Sequence, residues 1–153
     1  MSRVLPLRTI DPESFAPYGD ILALDRPDPE RLARGQSEFR IITRSEDPTG
    51  WRLAVLVVRN REISRLEHHP TTLESFEPVS GLAVLCVAPP ENPEAVEAFV
   101  LDQPVCLRKG VWHDVLALTR EATIKIAENL HVTSEYHPLP APLRPLLGPN
   151  PSA

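Results

Sequence analysis

The 153-residue chain is predicted to be all-β, and three observations carry that prediction. Its 18 prolines stand against 6 glycines, and a proline inside a helix costs about 3 kcal/mol, which disfavours a helical bundle. From Trp51 onward, short apolar stretches recur at roughly ten-residue spacing, each closed by proline, glycine or a charge, the pattern of a β-sandwich or barrel. Leu53–Val58 and Leu82–Ala88 are continuous apolar runs suited to strands buried on both faces, whereas Thr123–Ile126 alternates as a half-buried strand does.

Taken in order, Asp11 caps a short N-terminal helix with Pro12 at its first position. A turn at Pro17-Tyr18-Gly19 leads into Ile21–Leu24. Between Asp25 and Gly50 the chain is charged and reads as surface, with one helical turn at Glu30–Arg34 and one strand at Phe39–Thr43. Strands follow at Leu53–Val58, Leu82–Ala88, Ala95–Leu101, Val105–Leu107, Val115–Leu118 and Thr123–Ile126. Residues 1–136 form one domain. Prolines at 138, 140, 142, 145, 149 and 151 exclude a helix or an inner strand and make 137–153 a Pro-rich tail that wraps the surface or dangles.

A net charge of −5 and scattered basic residues exclude nucleic acid as a partner. The apolar runs are far shorter than the roughly 20 residues that cross a bilayer as a helix, and the N-terminus has no signal-peptide stretch, so a soluble, cytoplasmic protein with no membrane association is expected. Cys86 and Cys106 lie in apolar runs without metal-type spacing and read as buried, reduced thiols.

One cluster of side chains has a spacing that geometry rewards. Glu67 and His69, two apart, share a face if they lie on a strand, and Glu74 returns to that face after a short bend. Gly110-Val111-Trp112-His113 sets His113 at the start of another strand. Carboxylate oxygens and imidazole nitrogens converging inside a small barrel make a divalent-metal site of Glu67, His69, Glu74 and His113. His68 points to the opposite face, toward solvent, Asp114 points outward, and His131 and His137 lie on the surface. Arg40 and Arg59 are candidates for a bidentate contact to a substrate carboxylate, and Trp112 for lining the pocket.

His69, Glu74 and Gly81 match the first cupin motif, with Glu67 in place of its first histidine, and Gly110 and His113 match the second, with Arg108 in place of its proline. The resemblance implies a cupin-like double-stranded β-helix, that is, a jelly-roll barrel. A narrower resemblance covers most of the chain. Leu5-Pro6-Leu7, Ser14-Phe15-Ala16-Pro17-Tyr18-Gly19-Asp20, Leu66-Glu67-His68-His69-Pro70, Ser75-Phe76-Glu77-Pro78, Gly110-Val111-Trp112-His113 and Val115-Leu116-Ala117-Leu118 resemble the ureidoglycolate lyase family in order and spacing. The chain departs from that family's pattern at Glu74 (usually glutamine), Asp114 (usually histidine), Glu128-Asn129 (Asp-Arg) and Thr133-Ser134-Glu135 (Asn-Cys-Asp).

The resemblance implies a homodimeric lyase of purine and allantoin degradation that splits ureidoglycolate, or a related carbinolamine acid, into glyoxylate and urea. The expected cofactor is a divalent ion (nickel, manganese, zinc or iron), with Glu74 and His113 in the catalytic role and a small carboxylic acid as substrate. A metal-dependent dioxygenase or isomerase, and a non-catalytic small-molecule-binding cupin, are the alternatives.

Overall fold

The computed structural model describes residues 1–24, 32–34 and 37–146. Its strands are β1 (Arg3–Leu5), β2 (Leu7–Arg8), β3 (Gly19–Ile21), β4 (Leu32–Arg34), β5 (Ser37–Phe39), β6 (Trp51–Val58), β7 (Ile63–His68), β8 (Glu74–Ser80), β9 (Ala83–Ala88), β10 (Glu97–Leu101), β11 (Val105–Leu107), β12 (Trp112–Ala117), β13 (Ala122–Asn129) and β14 (Glu135–Pro145). No helix occurs among the described residues, and therefore none long and apolar enough to cross a membrane.

From β6 to β13 the antiparallel pairing is nested: β6 with β13, β7 with β12, β8 with β11 and β9 with β10. A long hairpin rolled on itself in this way is a jelly roll, so the architecture expected from the cupin spacing is the one the chain adopts. The rolled hairpin and its flanking strands form a five-stranded sheet, β3-β11-β8-β13-β6, and a seven-stranded sheet, β1-β14-β7-β12-β9-β10-β2. Only Pro6 separates β1 from β2, which stand at opposite edges of the larger sheet. That sheet therefore bends until its edges nearly meet, and its two faces serve two cores. Leu85, Phe99 and Val115 pack with Phe76 and Ile124 of the opposing sheet, while Leu66, Val84 and Leu116 pack with Leu5 and Leu143. β9 feeds both cores alternately, so all six of its residues are buried, as its unbroken apolar run predicts.

Several expectations need correction. The Asp11 cap forms, its Oδ1 accepting from Glu13 N (3.0 Å) and Ser14 N (2.9 Å), and Phe15 N donates to Asp11 O at 3.0 Å. The turn does not extend to a helix, because Pro17 has no N–H to continue the ladder. Leu32–Arg34 is a strand paired with Ser37–Phe39, not a helical turn; Glu30 and Arg31 lie outside the described residues. An isolated helical turn has little to support it, whereas a hairpin satisfies both backbones. The strand expected at Phe39–Thr43 ends at Phe39. The run Leu53–Val58 lies within β6 but is not buried on both faces. β6 is the outer edge of its sheet, and Trp51, Leu53 and Val55 are 71%, 60% and 69% exposed. An apolar run fixes length and strand type but not the number of neighbours.

The Pro-rich segment is the largest departure. Residues up to Pro145 are not a tail but form β14, held between β7 and β1; residues 147–153 lie outside the described residues. Pro138, Pro140 and Pro142 recur at every second position, so in an extended chain their missing N–H groups fall on one side and the donors of the residues between them remain available on the other. Where those prolines crowd, the register jumps from Pro138↔Arg65 to Leu143↔Ile63, a bulge that takes up the surplus residues.

Candidate metal centre

Alternation and register bring the site together at one end of the jelly roll. On β13, Ala122, Ile124 and Ile126 face the core, so Glu128 is next in the inward row. The ladder joins Arg52 to Glu128 and Glu128 to Glu74, a single rung across three strands. On the facing sheet, Glu67 of β7 is paired with His113 of β12, and directly opposed residues share a face. His69 enters from the segment after β7. Thr72 N bonds back to His69 O at 3.5 Å, and Gly110 N donates to the same oxygen at 2.9 Å, tying the two histidine-bearing segments together.

Glu74 Oε2 lies 3.1 Å from His69 Nε2 and 3.0 Å from His113 Nε2, and the three side chains are only 8%, 6% and 4% exposed. The outer nitrogens fix the rings. His113 Nδ1 is 2.9 Å from Val111 O, and His69 Nδ1 is 3.2 Å from both Thr133 O and Ser134 Oγ. A carbonyl only accepts, so Nδ1 carries the proton in each ring and a neutral ring turns its Nε2 lone pair inward. Three lone-pair-bearing atoms then converge. Glu74 Oε2 and His113 Nε2 have no partner in hydrogen-bonding geometry, so their close approach is a meeting of acceptors. Unpaired buried acceptors cost about 1–3 kcal/mol each unless something positive sits among them.

A divalent cation fits that requirement, and two overlapping triads can hold one: Glu67, His69 and His113, and His69, Glu74 and Glu128, each with ligand atoms within 4.8 Å of one another. Without a cation, protons compensate. Burial alone would raise the Glu74 pKa, but the two imidazoles outweigh it and bring it to about 2. Burial likewise opposes charge on His69 and His113, yet Glu74 reverses this and raises both.

Of the residues singled out from the sequence, Glu67, His69, Glu74 and His113 are brought together. Trp112 is not part of the cluster. It packs on the other side of β12, stacked on His68 with centroids 3.8 Å apart, and its Nε1 donates to Pro90 O at 3.1 Å. His68 accordingly is not turned to solvent; besides Trp112 it meets Gly110 O and Glu135 Oε2, at 3.1 and 2.9 Å. Arg59 pairs with exposed Glu121, 3.0 Å away, at the far end of β13 from Glu128. Six residues of strand, about 20 Å, separate those ends, so Arg59 cannot serve the site. Arg40 lines a groove with Leu22, Ala23, Leu24 and residues 41–43, a lining that includes none of the cluster. Asp114 is half-buried, with burial raising its pKa, and borders a cleft with Glu67, Ser64, Arg65 and Tyr136. Cys86 and Cys106 are buried and free, as expected.

Glu128 and Arg52 escaped the sequence reading. Their signal was the inward row: Arg52 is two before Ala54 and Glu128 two after Ile126, both core-packed positions.

Jelly roll and cluster together define a cupin-like protein with a buried histidine–carboxylate centre. The model of the ureidoglycolate lyase family matches residues 2–129, and the chain belongs to that family. Relatives named ureidoglycolate lyase include one from Agrobacterium fabrum, 27% identical over 74% of this chain and 76% of its own length, and one from Burkholderia cepacia, 30% identical over 74% and 72%. Among solved structures, a Bacillus subtilis oxalate decarboxylase is similar over 60% of this chain, which spans only 24% of that one, at 18% identity and TM-score 0.44. A dTDP sugar isomerase from Desulfovibrio desulfuricans is similar over 72% and 81%, at 14% identity and TM-score 0.45.

Proposed function

We propose that the chain is a metal-dependent lyase that cleaves ureidoglycolate, or a related carbinolamine acid, to glyoxylate and urea. The observation that carries this reading is the cluster at Glu74 Oε2, flanked by two inward-turned imidazoles in a chain of the ureidoglycolate lyase family. Glu67, His69, Glu74 and His113 are the residues that would hold the ion. A divalent cation held there would supply Lewis-acid chemistry and lower the pKa of a substrate hydroxyl.

The chain's own groups do the rest. Thr133 O and Val111 O fix the two rings through Nδ1–H, so the Nε2 atoms need no reorganisation. A neighbouring carboxylate or histidine takes the proton from the substrate hydroxyl and returns it to the departing urea nitrogen. The C–N bond breaks as the C–O bond becomes a carbonyl, so the proton count closes without a covalent intermediate. The jelly-roll core beneath, with the Phe76 ring 5.6 Å from that of His113, keeps bulk water from that side.

The test is release of glyoxylate from racemic ureidoglycolate by the purified chain loaded in turn with nickel, manganese, zinc and iron(II). Release with at least one metal is the expected result. No release with any of them overturns the reading, and oxygen uptake by the iron form on a candidate substrate would turn it toward oxygenase chemistry.

A further inference from the structure

Among the described residues, Arg52 brings a guanidinium to the cluster. Its Nε and Nη2 lie 2.9 and 2.8 Å from the same oxygen, Glu128 Oε1, while Nη1 has no protein partner among the described residues. The Glu128 side chain is 9% exposed and that of Arg52 48%, so the guanidinium spans from a buried carboxylate to solvent. Other arginines are engaged elsewhere: Arg61 with Ala117 O and Leu118 O, Arg108 with Ala16 O, Arg65 over the Tyr136 ring.

Charge gives this placement a purpose. Glu67, Glu74 and Glu128 bring three negative charges to one centre. A divalent ion leaves one uncompensated, and an incoming carboxylate would meet net repulsion. Arg52 cancels that remaining charge and offers N–H donors on the solvent side, where a carboxylate is bound as a charge-assisted pair.

We propose that Arg52 binds the carboxylate of the substrate, held in place by Glu128, and so restricts the site to small α-hydroxy acid monoanions. The proposal rests on the metal-site reading of the cluster and not on the identity of the bond cleaved. Glu128 is a positioning residue here: it occupies one edge of the guanidinium and leaves Nη1 for the ligand.

The probe is glycolate, which has the hydroxyl and carboxylate of such an acid and no group to eliminate. Its affinity is measured by calorimetry on manganese-loaded wild type, Arg52→Gln, Arg52→Lys and Glu128→Gln, with metal content and melting temperature determined on each. Arg52→Gln is expected to weaken glycolate at least tenfold while retaining wild-type metal content, with Arg52→Lys recovering part of the loss. Glu128→Gln releases the guanidinium from the carboxylate that holds it but leaves its donors in place, so glycolate is expected to weaken by less than in Arg52→Gln. Glycolate affinity in Arg52→Gln within twofold of wild type overturns the proposal. So does equal loss of glycolate affinity in Arg52→Gln and Glu128→Gln, which would make Arg52 only a prop for Glu128. Failure of the lyase reading would appear separately, as glycolate bound through Arg52 by a protein that releases no glyoxylate from ureidoglycolate.

Discussion

Replacing Glu74 by glutamine keeps the shape of the side chain and removes its charge from between two imidazole nitrogens 3.1 and 3.0 Å away. In the metal-free protein the fall of the Glu74 pKa from 4.5 to about 2 corresponds to about 3 kcal/mol of ion pairing. Glu74→Gln should forfeit most of that at pH 5.5. On the proposed reading the carboxylate is a direct ligand in the metal-loaded protein, and its loss should exceed the 10- to 100-fold typical of outer-shell partners. Metal at about a hundred times its Kd stabilises by about 2.7 kcal/mol. At about 2–4 °C per kcal/mol for a domain of this size, wild type should melt about 5–10 °C higher with metal than without. At the same metal concentration Glu74→Gln should show almost none of that rise. Calorimetric melts of both proteins, with and without metal, read this directly. A full metal-induced rise in Glu74→Gln would refute the assignment of Glu74 as a ligand.

The sign of the pH dependence differs between the two forms. The lowered Glu74 pKa stabilises the metal-free fold above about 4.5 and is lost as pH falls toward about 2, while the raised pKa values of His69 and His113 stabilise it below about 6.5 and are lost as pH rises. Metal-free protein should therefore be most stable between those limits and lose melting temperature as pH rises above about 6.5, with added metal restoring it; a metal-free melting temperature that climbs as pH rises there contradicts the cluster's electrostatics. Arg59→Ala removes an exposed pair with Glu121, worth about 1 kcal/mol or less, and should leave kcat/KM for ureidoglycolate within twofold. Trp112→Phe loses the Nε1–Pro90 O hydrogen bond and part of the stack on His68; it should cost about 1–2 kcal/mol in denaturant melts with metal content unchanged. Gly81 has φ +70°, and a Cβ there would meet Glu121 O at 2.3 Å, so Gly81→Ala should destabilise strongly, lowering the melting temperature or the soluble yield.

The residues of the cluster were legible because a shared site constrains local spacing. Glu67, His69 and Glu74 lie within one strand and its following bend, and the cupin intervals extend that pattern to His113. Arg52 and Glu128 were not: each continues the inward row of its own strand, but β-ladder pairing joins them across 76 residues and no local interval ties one to the other. The same cause hid the edge position of β6: its apolar run was visible, its missing neighbour was not. Proline misled in one place. A residue that removes ladder donors argues against an inner strand, but spacing at alternate residues confines the loss to one side of β14, and the bulge after Pro138 absorbs the mismatch. His68 went astray differently, since the outer face of its sheet is covered by its own curled edge, and a face expected to meet water is a second core, against which Trp112, expected to line the pocket, also packs.

The central claim is that a divalent ion held by the cluster around Glu74 makes this chain a ureidoglycolate-cleaving lyase. The direct measurement is the initial rate of glyoxylate release as metal is titrated into chelator-stripped protein. The account predicts a rate near background without metal that rises and saturates at about one ion per chain. Glyoxylate release unaffected by stripping the metal, or absent at full metal occupancy, would contradict it.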